Sequence, residues 1–74
     1  MILTELKPGE TGKVEAIKVQ GSLKRRLMDM GITRSQAIYV KKVAPLGDPM
    51  EITIRGYELS IRKNEAEQII VQKI

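Results

Sequence analysis

The amino-acid sequence predicts a mostly β fold: a small closed barrel of about five strands, with one short helix after the first strand and a helical turn before the last. Glycine and proline divide the 74 residues into pieces of about 5 to 10 residues, a length typical of strands. Several pieces alternate apolar and polar side chains, as half-buried strands do. So short a chain buries only a small core, and closing the sheet would remove its edges.

The first strand is predicted at residues 13–19, after a Pro-Gly pair that favours a tight turn. Its alternation breaks partway along. Val14 and Ala16 share one face, whereas the apolar side chains at positions 17 and 19 share the other. One inserted residue produces such a switch, so we expect a β-bulge and a bend in this strand.

Residues 22–31 predict the one full helix of the chain. Three apolar side chains spaced at i, i+4 and i+7 form a stripe along it: Leu23, Leu27 and Met30. Ser22 is placed to act as the N-cap, and Gly31 is placed to end the helix in the left-handed conformation. We expect the stripe to pack on the barrel, and Met28 lies off that stripe.

The remaining strands are predicted, in order, at residues 37–44, 50–54, 57–61 and 69–73. The second and third of these alternate regularly, which predicts a hairpin that turns about Gly56. Asn64 with Glu67 three residues later resembles a capping box and predicts a single helical turn at residues 64–68.

The residue types that the chain lacks exclude several kinds of catalytic and metal-binding site. It has no Cys and no His, which excludes disulfides, thiolate nucleophiles, the common catalytic sets and the usual zinc sites. The carboxylates of Asp48, Glu51 and Glu58 are scattered, so we expect no metal site, no cofactor, no catalytic residue and no enzyme activity. The length predicts one domain over residues 1–74, and without an apolar run of membrane-spanning length or a signal peptide we expect it to be soluble. The absence of thiols fits a reducing cytoplasm.

Basic charge is concentrated in the first part of the chain. Residues 1–42 carry 9 basic and 4 acidic side chains, whereas residues 43–74 carry 4 and 5. The first part is therefore expected to meet acidic partners. Tyr39 and Tyr57 are the only aromatic residues, too few to stack on nucleic-acid bases, and we expect them to pack in the core or at its rim. Nucleic-acid binding is not expected, although a small basic barrel leaves it as an alternative.

Four segments, in order, resemble the FeoA family over residues 3–73. They are Leu6-Lys7-Pro8-Gly9-Glu10 with Gly12 and Val14; Arg26-Leu27 to Gly31-Ile32; Ala44-Pro45-Leu46-Gly47-Asp48-Pro49; and Leu59-Ser60-Ile61-Arg62 leading into Glu65-Ala66. The family pattern also has a Pro-Gly turn soon after the helix, where this sequence has Arg34-Ser35. The sequence departs from the family pattern at that turn, where Ser adopts a positive φ less readily than Gly does.

The resemblance implies an SH3-like barrel and a non-enzymatic cytoplasmic accessory of ferrous iron uptake. The implied partner is an FeoB-type membrane transporter, through its GTP-binding cytoplasmic domain or its membrane part, which would recruit the chain to the inner face of the membrane. The alternative is the SH3-like C-terminal module of a DtxR-type metal-dependent regulator. A further alternative is weak association of the chain with a second copy of itself.

Two surfaces are candidates for the partner contact. Lys24, Arg25 and Met28 lie off the buried stripe of the helix. The two cations can equally be a solvated helix face, and Met28 can equally pack under the loop that starts at Arg34. The second surface is the loop at residues 45–49, where Leu46 and Asp48 would make contact, although two prolines and an Asx-turn also suit a purely structural connection.

Overall fold

The computed structural model describes all residues from 1 to 74, and five antiparallel strands dominate it. In chain order the elements are a 3-10 turn at Leu3–Glu5, β1 at Thr11–Ile17, α1 at Ser22–Asp29, β2 at Ala37–Val43, β3 at Met50–Ile54, β4 at Tyr57–Ile61, α2 at Lys63–Ala66 and β5 at Ile69–Lys73. The strands form one sheet in the order β4-β3-β2-β1-β5. This confirms the predicted mostly β fold, with its short helix after β1 and its helical turn before β5.

All five strands contribute to a single apolar core. Its buried residues are Leu3, Leu6, Val14, Leu27, Ile32, Ile38, Val40, Met50, Ile52, Ile54, Ile61, Ala66, Ile69 and Val71. Burial alternates along β3, where Met50, Ile52 and Ile54 face inward, as the sequence pattern predicted. No ladder joins β4 to β5, so the sheet wraps the core without closing fully, and the expectation of a sheet free of edges was wrong.

The predicted bulge lies in β1. The register against β5 shifts between Val14 and Ala16, leaving Glu15 as the extra residue. The strand itself begins and ends two residues earlier than predicted. Beyond it, the backbone N–H of Lys18 still bonds to the carbonyl of Gln68 at 2.7 Å, so the chain stays beside β5 as it leaves for α1.

Helix α1 packs on the core by the predicted stripe. Leu27 is fully buried, and Leu23 and Met30 are partly buried against the core. Gly31, with φ of 98°, follows the helix in the left-handed conformation, as predicted. The prediction that Ser22 is the N-cap was wrong: Gly21 occupies the cap with φ of 79°, and Ser22 is the first helical residue.

The β3–β4 hairpin has a two-residue turn made of Arg55 and Gly56. Both residues have positive φ, 52° and 85° respectively, which is the requirement of a type I′ turn. The predicted hairpin about Gly56 is therefore confirmed, with the difference that Arg55 also adopts the left-handed region.

Helix α2 begins earlier than the predicted turn. Glu65, rather than Glu67, accepts a hydrogen bond from the backbone N–H of the cap residue, Arg62, at 3.1 Å. The other carboxylate oxygen of Glu65 lies 2.8 Å from the guanidinium of Arg26 in α1. Asn64 therefore lies inside the helix. The buried carboxylate that requires hydrogen-bond partners is that of Glu65, two residues before Glu67, which the sequence pattern had indicated.

The turn between α1 and β2 keeps a left-handed residue without a glycine. Ser35 has φ of 74°, and its backbone N–H donates to the carbonyl of Val14 at 2.8 Å. The departure from the Pro-Gly pattern therefore leaves a left-handed residue in this turn, at a conformational cost of about 1 to 2 kcal/mol for a residue that carries a Cβ atom.

Neither helix reaches the length or the apolar character that crossing a membrane would require.

Candidate functional site

A groove separates α1 from the bulged end of β1. It has a volume of about 250 Å³, and its apolar lining comes from three parts of the chain. Ala16 and Ile17 supply the strand side, Met28 the helix side, and Ile32 the segment that follows the helix. The register shift of β1 between Val14 and Ala16 lies beside the groove, and a bulge of this kind bends its strand.

Met28 stands between this groove and a second, shallower hollow. The side chain of Met28 is 45% exposed and lines both depressions. Gly21, Arg25 and Asp29 line the second one with it. An unbranched thioether in such a position can adapt its shape to an incoming apolar group.

The cations at the groove and at the adjoining hollow form no ion pairs. Lys24 and Arg34 line the groove, and Arg25 lines the adjoining hollow. The four ion pairs of the structure lie elsewhere: Arg26 with Glu65, Lys41 with Glu58, Lys42 with Glu51, and Lys73 with Glu10. Glu15 and Asp29 lie at the groove and the hollow respectively, yet neither is in an ion pair with these cations. The surface therefore combines an apolar centre with unpaired positive charge.

The structure groups three of the candidate residues and separates the other two. Lys24, Arg25 and Met28 share the hollow on α1. No groove joins any of them to the loop at residues 45–49. At the tip of that loop Leu46 is 89% exposed.

Asp48 has a structural contact of its own. Its Oδ1 atom accepts a hydrogen bond from the backbone N–H of Lys63, the first residue of α2, at 3.0 Å. The bond satisfies one of the N–H groups that a helix leaves free at its start. Asp48 thus joins the loop to α2, which supports the structural interpretation of the loop.

The carboxylates considered for metal binding are spread over the surface. No group of three or more Asp or Glu side chains lies close enough to hold one ion. Glu58 is paired with Lys41, and Glu51 lies 3.6 Å from Lys42. The hydrogen bond with Glu58 raises the pKa of Lys41 above its ordinary value.

Sequence reasoning found the helix side of the groove and missed most of the opposite wall. Ala16, Ile17 and Thr33 line the groove, but they are distant from Met28 along the chain. The break in alternation at the bulge was the available signal, since a bulge bends its strand and exposes side chains near it. Met28 is exposed and lines the same groove as Arg34.

Comparison with known proteins identifies the family of this chain. A family model described as the FeoA domain matches residues 1–73. The chain is 32% identical over 74 residues to a Porphyromonas gingivalis protein described as an Fe(2+) transport protein A/Fe(2+) transporter FeoB fusion protein. That match covers 100% of this chain and 9% of the relative, so the chain spans a small part of the curated protein's length.

Solved structures of similar sequence have the same fold. A FeoA-like protein from Clostridium acetobutylicum is 40% identical with a TM-score of 0.92, over 100% of this chain and 86% of that one. The FeoA protein of Chlorobium tepidum is 42% identical with a TM-score of 0.90, over 100% of this chain and 70% of that one.

Two more distant structures share the fold alone. Stenotrophomonas maltophilia FeoA, described as a prokaryotic SH3 domain protein complexed with zinc, is 22% identical with a TM-score of 0.85, over 97% of this chain and 89% of that one. A manganese-dependent transcriptional repressor is 20% identical with a TM-score of 0.91, over 100% of this chain and 36% of that one. The predicted SH3-like architecture is thereby confirmed.

Proposed function

The chain belongs to the FeoA family, which is associated with ferrous iron transport, and from that premise we propose that it binds an FeoB-type transporter and modulates it as a non-enzymatic cytoplasmic accessory. The contact surface in this proposal is the groove between α1 and β1 together with the hollow beside it. Ferrous iron is the cargo of the partner and not a ligand of this chain.

The observation that carries the proposal is the position of Met28 among unpaired cations. A half-exposed apolar side chain beside a groove provides area that a partner can bury, and burial of apolar area is the main source of affinity at interfaces. The three cations, Lys24 and Arg34 at the groove and Arg25 next to it, outnumber the two carboxylates that line the same surface. The remaining positive field would steer an acidic partner. The same features match the partner charge expected from the sequence.

The fusion protein of P. gingivalis supports the choice of partner. Joining two modules in one chain holds them at a high local concentration, which is useful when the modules act on each other. Where the two modules are separate chains, the groove would have to supply the association that the covalent link supplies in the fusion protein.

Modulation requires that binding differ between states of the partner. A ligand shifts an equilibrium only by the ratio of its affinities for the two states. If the partner is the GTP-binding domain, the affinities of this chain for its GTP-bound and GDP-bound forms must differ. The ratio of these two affinities is the factor by which the chain changes the preference of the domain for GTP over GDP.

Calorimetric titration of the transporter's cytoplasmic domain with this chain tests the proposal. The titration is made with a non-hydrolysable GTP analogue, with GDP and without nucleotide. We expect saturable binding with unequal affinities. The Met28→Glu variant should remain folded and lose binding at least tenfold, because its carboxylate would be buried without a partner.

Tyr39→Glu is the matched control for this variant. Tyr39 is 43% exposed, close to Met28 in exposure, and it lines none of the grooves. The control receives the same charge and should bind as the parent does. Equal binding by Met28→Glu and the parent would move the contact away from α1, with the loop at residues 45–49 as the next surface to test.

A salt series separates protein recognition from nucleic-acid binding. Affinity for a short RNA or DNA depends on counterion release and falls steeply between low and physiological salt. Binding centred on Met28 depends chiefly on apolar area and should change much less. Tight, salt-sensitive binding to an oligonucleotide in place of the transporter domain would contradict the proposal.

A further inference from the structure

The two edges of the sheet differ in how they are protected. At the β5 edge, the carbonyl of Met1 accepts a hydrogen bond from the backbone N–H of Val71 at 2.8 Å, and Ile2 pairs with Ile70 in an antiparallel bridge. The first two residues therefore cover that edge. At the β4 edge, no segment of the chain pairs with the strand.

The backbone groups left free at β4 follow from the hairpin geometry. The two-residue turn makes Ile54 and Tyr57 a hydrogen-bonded pair, and such pairs alternate with non-bonded ones along the ladder. The N–H and C=O groups of Glu58 and Ser60 therefore point away from β3. Neither residue takes part in the backbone hydrogen bonds outside the helices and strands, and both are exposed.

We propose that β4 is a strand-addition site and that its occupant is β4 of a second copy of this chain, paired antiparallel about a two-fold axis at Leu59. In this arrangement Glu58 lies opposite Ser60 of the second copy, and Ser60 opposite its Glu58. Each of these pairs exchanges two hydrogen bonds, which satisfies the outward backbone groups of both strands.

The side chains of β4 suit pairing with themselves. Glu58 lies opposite the neutral Ser60 of the second copy, so no like charges are directly opposed, and its carboxylate stays paired with Lys41 of its own copy. Arg62, the residue after the strand, comes diagonally near Glu58 of the second copy, which adds an attractive pair. Leu59, which is only partly buried, meets its own counterpart, and the two exposed strands match in length.

The association is weak and independent of the groove on α1. A single five-residue strand buries far less area than a stable dimer interface. Net charge of +4 on each copy also opposes association. Since none of the β4 residues lines the α1 groove, pairing at β4 leaves Met28 available for another partner.

Sedimentation equilibrium tests the pairing directly. From about 10 µM to about 1 mM, a range suited to weak complexes, the average mass of the parent should rise from 8.3 kDa towards twice that value. Ser60→Pro should stay monomeric throughout, because proline removes an outward N–H that β3 does not use. Ser60→Thr keeps that N–H and should associate as the parent does.

Cross-linking keeps the proposal testable if the proline variant does not fold. The chain has no cysteine, so a single introduced thiol can only link two copies. At the two-fold axis, Leu59→Cys places two thiols on directly opposed residues, whose Cα atoms lie about 4.5 to 5.5 Å apart, within the range of a disulfide. In Tyr57→Cys the thiols would lie more than about 13 Å apart, since four residues separate them along the strand.

Under a mild oxidant, Leu59→Cys should form covalent dimers many times faster than Tyr57→Cys. A parent that remains monomeric to millimolar concentration would overturn the proposal, as would equal rates for the two cysteine variants. Association of Ser60→Pro to the same extent as the parent would also overturn it, because the two copies would then meet at another surface.

Discussion

The guanidinium of Arg55 donates a hydrogen bond from Nε to Oε1 of Gln36 at 3.0 Å, and so ties the β3–β4 turn to the segment between α1 and β2. A second donor of Arg55 lies 3.4 Å from the hydroxyl of Thr33. Arg55 and Ser35, which precedes Gln36, are the two non-glycine residues with positive φ. Because Thr33 lines the α1 groove, this contact positions one wall of the proposed interaction surface.

Replacing Ser35 by glycine should stabilise the protein. The left-handed conformation costs a residue with a Cβ atom about 1 to 2 kcal/mol, and the greater unfolded-state freedom of glycine takes back about 0.5 to 1 kcal/mol. We expect Ser35→Gly to raise the free energy of unfolding by about 0.5 to 1 kcal/mol in urea titration. Ser22→Gly, in the first turn of α1, is the control and should lower it by about 0.5 kcal/mol. A lower stability for Ser35→Gly would mean that the serine side chain compensates for its backbone.

Truncating Leu27 should bring the fold close to its stability limit. Leu27 is fully buried, and Leu→Ala changes in cores cost about 2 to 5 kcal/mol. Small domains have total stabilities that begin at about 5 kcal/mol. Thermal unfolding of Leu27→Ala should therefore show a Tm far below the parent's, or no cooperative transition. Leu46→Ala removes the same atoms from a side chain that is 89% exposed and should leave the Tm nearly unchanged.

Reversing the charge of Lys24 should slow association with the transporter domain. Lys24 lines the groove and lacks an ion pair within the chain, so its charge acts on an approaching acidic partner. In surface-binding kinetics, Lys24→Glu should lower the association rate and weaken its dependence on salt, whereas Met28→Glu should act mainly on dissociation. Lys63→Glu makes the same charge change on α2. Equal slowing in both lysine variants would indicate an effect of net charge rather than of this surface.

The stability contributed by Glu10 should depend on pH. The hydrogen bond from Lys73, with a further one from the backbone N–H of Lys7, lowers the pKa of Glu10 from its ordinary value of 4.5. A carboxyl group whose pKa is lower in the folded state stabilises the fold above its unfolded pKa and loses that contribution as pH falls through the folded value. The Tm difference between the parent and Glu10→Gln should be largest near neutral pH and shrink below pH 4.5.

Glu15→Gln serves as the control in this pH series. Glu15 has no hydrogen bond or ion pair from its side chain in the structure, so its substitution should change the Tm little at any pH. A difference for Glu10→Gln that stayed constant down to strongly acidic pH would show that the Lys73 contact does not stabilise the fold.

Elements governed by local patterns were predictable from the sequence. The stripe through Leu27 located the buried face of α1, and regular alternation around Gly56 located the hairpin. The bulge at Glu15 was predictable because a single extra residue reverses which face the following side chains occupy.

Features that depend on distant contacts were not predictable in the same way. The start of α2 is set by Glu65, whose carboxylate is buried beside Arg26 of a different helix. The N-cap of α1 is Gly21, which has a positive φ. The sequence indicated Ser22 instead, because serine is a more common capping residue than glycine. The groove is formed where residues 16–17 and 32–34 come together in the folded chain. No local sequence pattern predicts that these two segments are close.

Helix α2 contacts both the loop at residues 45–49 and helix α1. Asp48 bonds to the backbone of Lys63 at its start, on the side of the loop that carries Leu46. Glu65 lies beside Arg26 of α1, the helix that carries Met28. The loop at residues 45–49 and helix α1 are thus both bonded to the four-residue helix α2. A fluorinated probe attached at position 46 would therefore lie outside the groove, in a loop that α2 connects to α1. We expect the NMR resonance of this probe to shift when a partner binds α1.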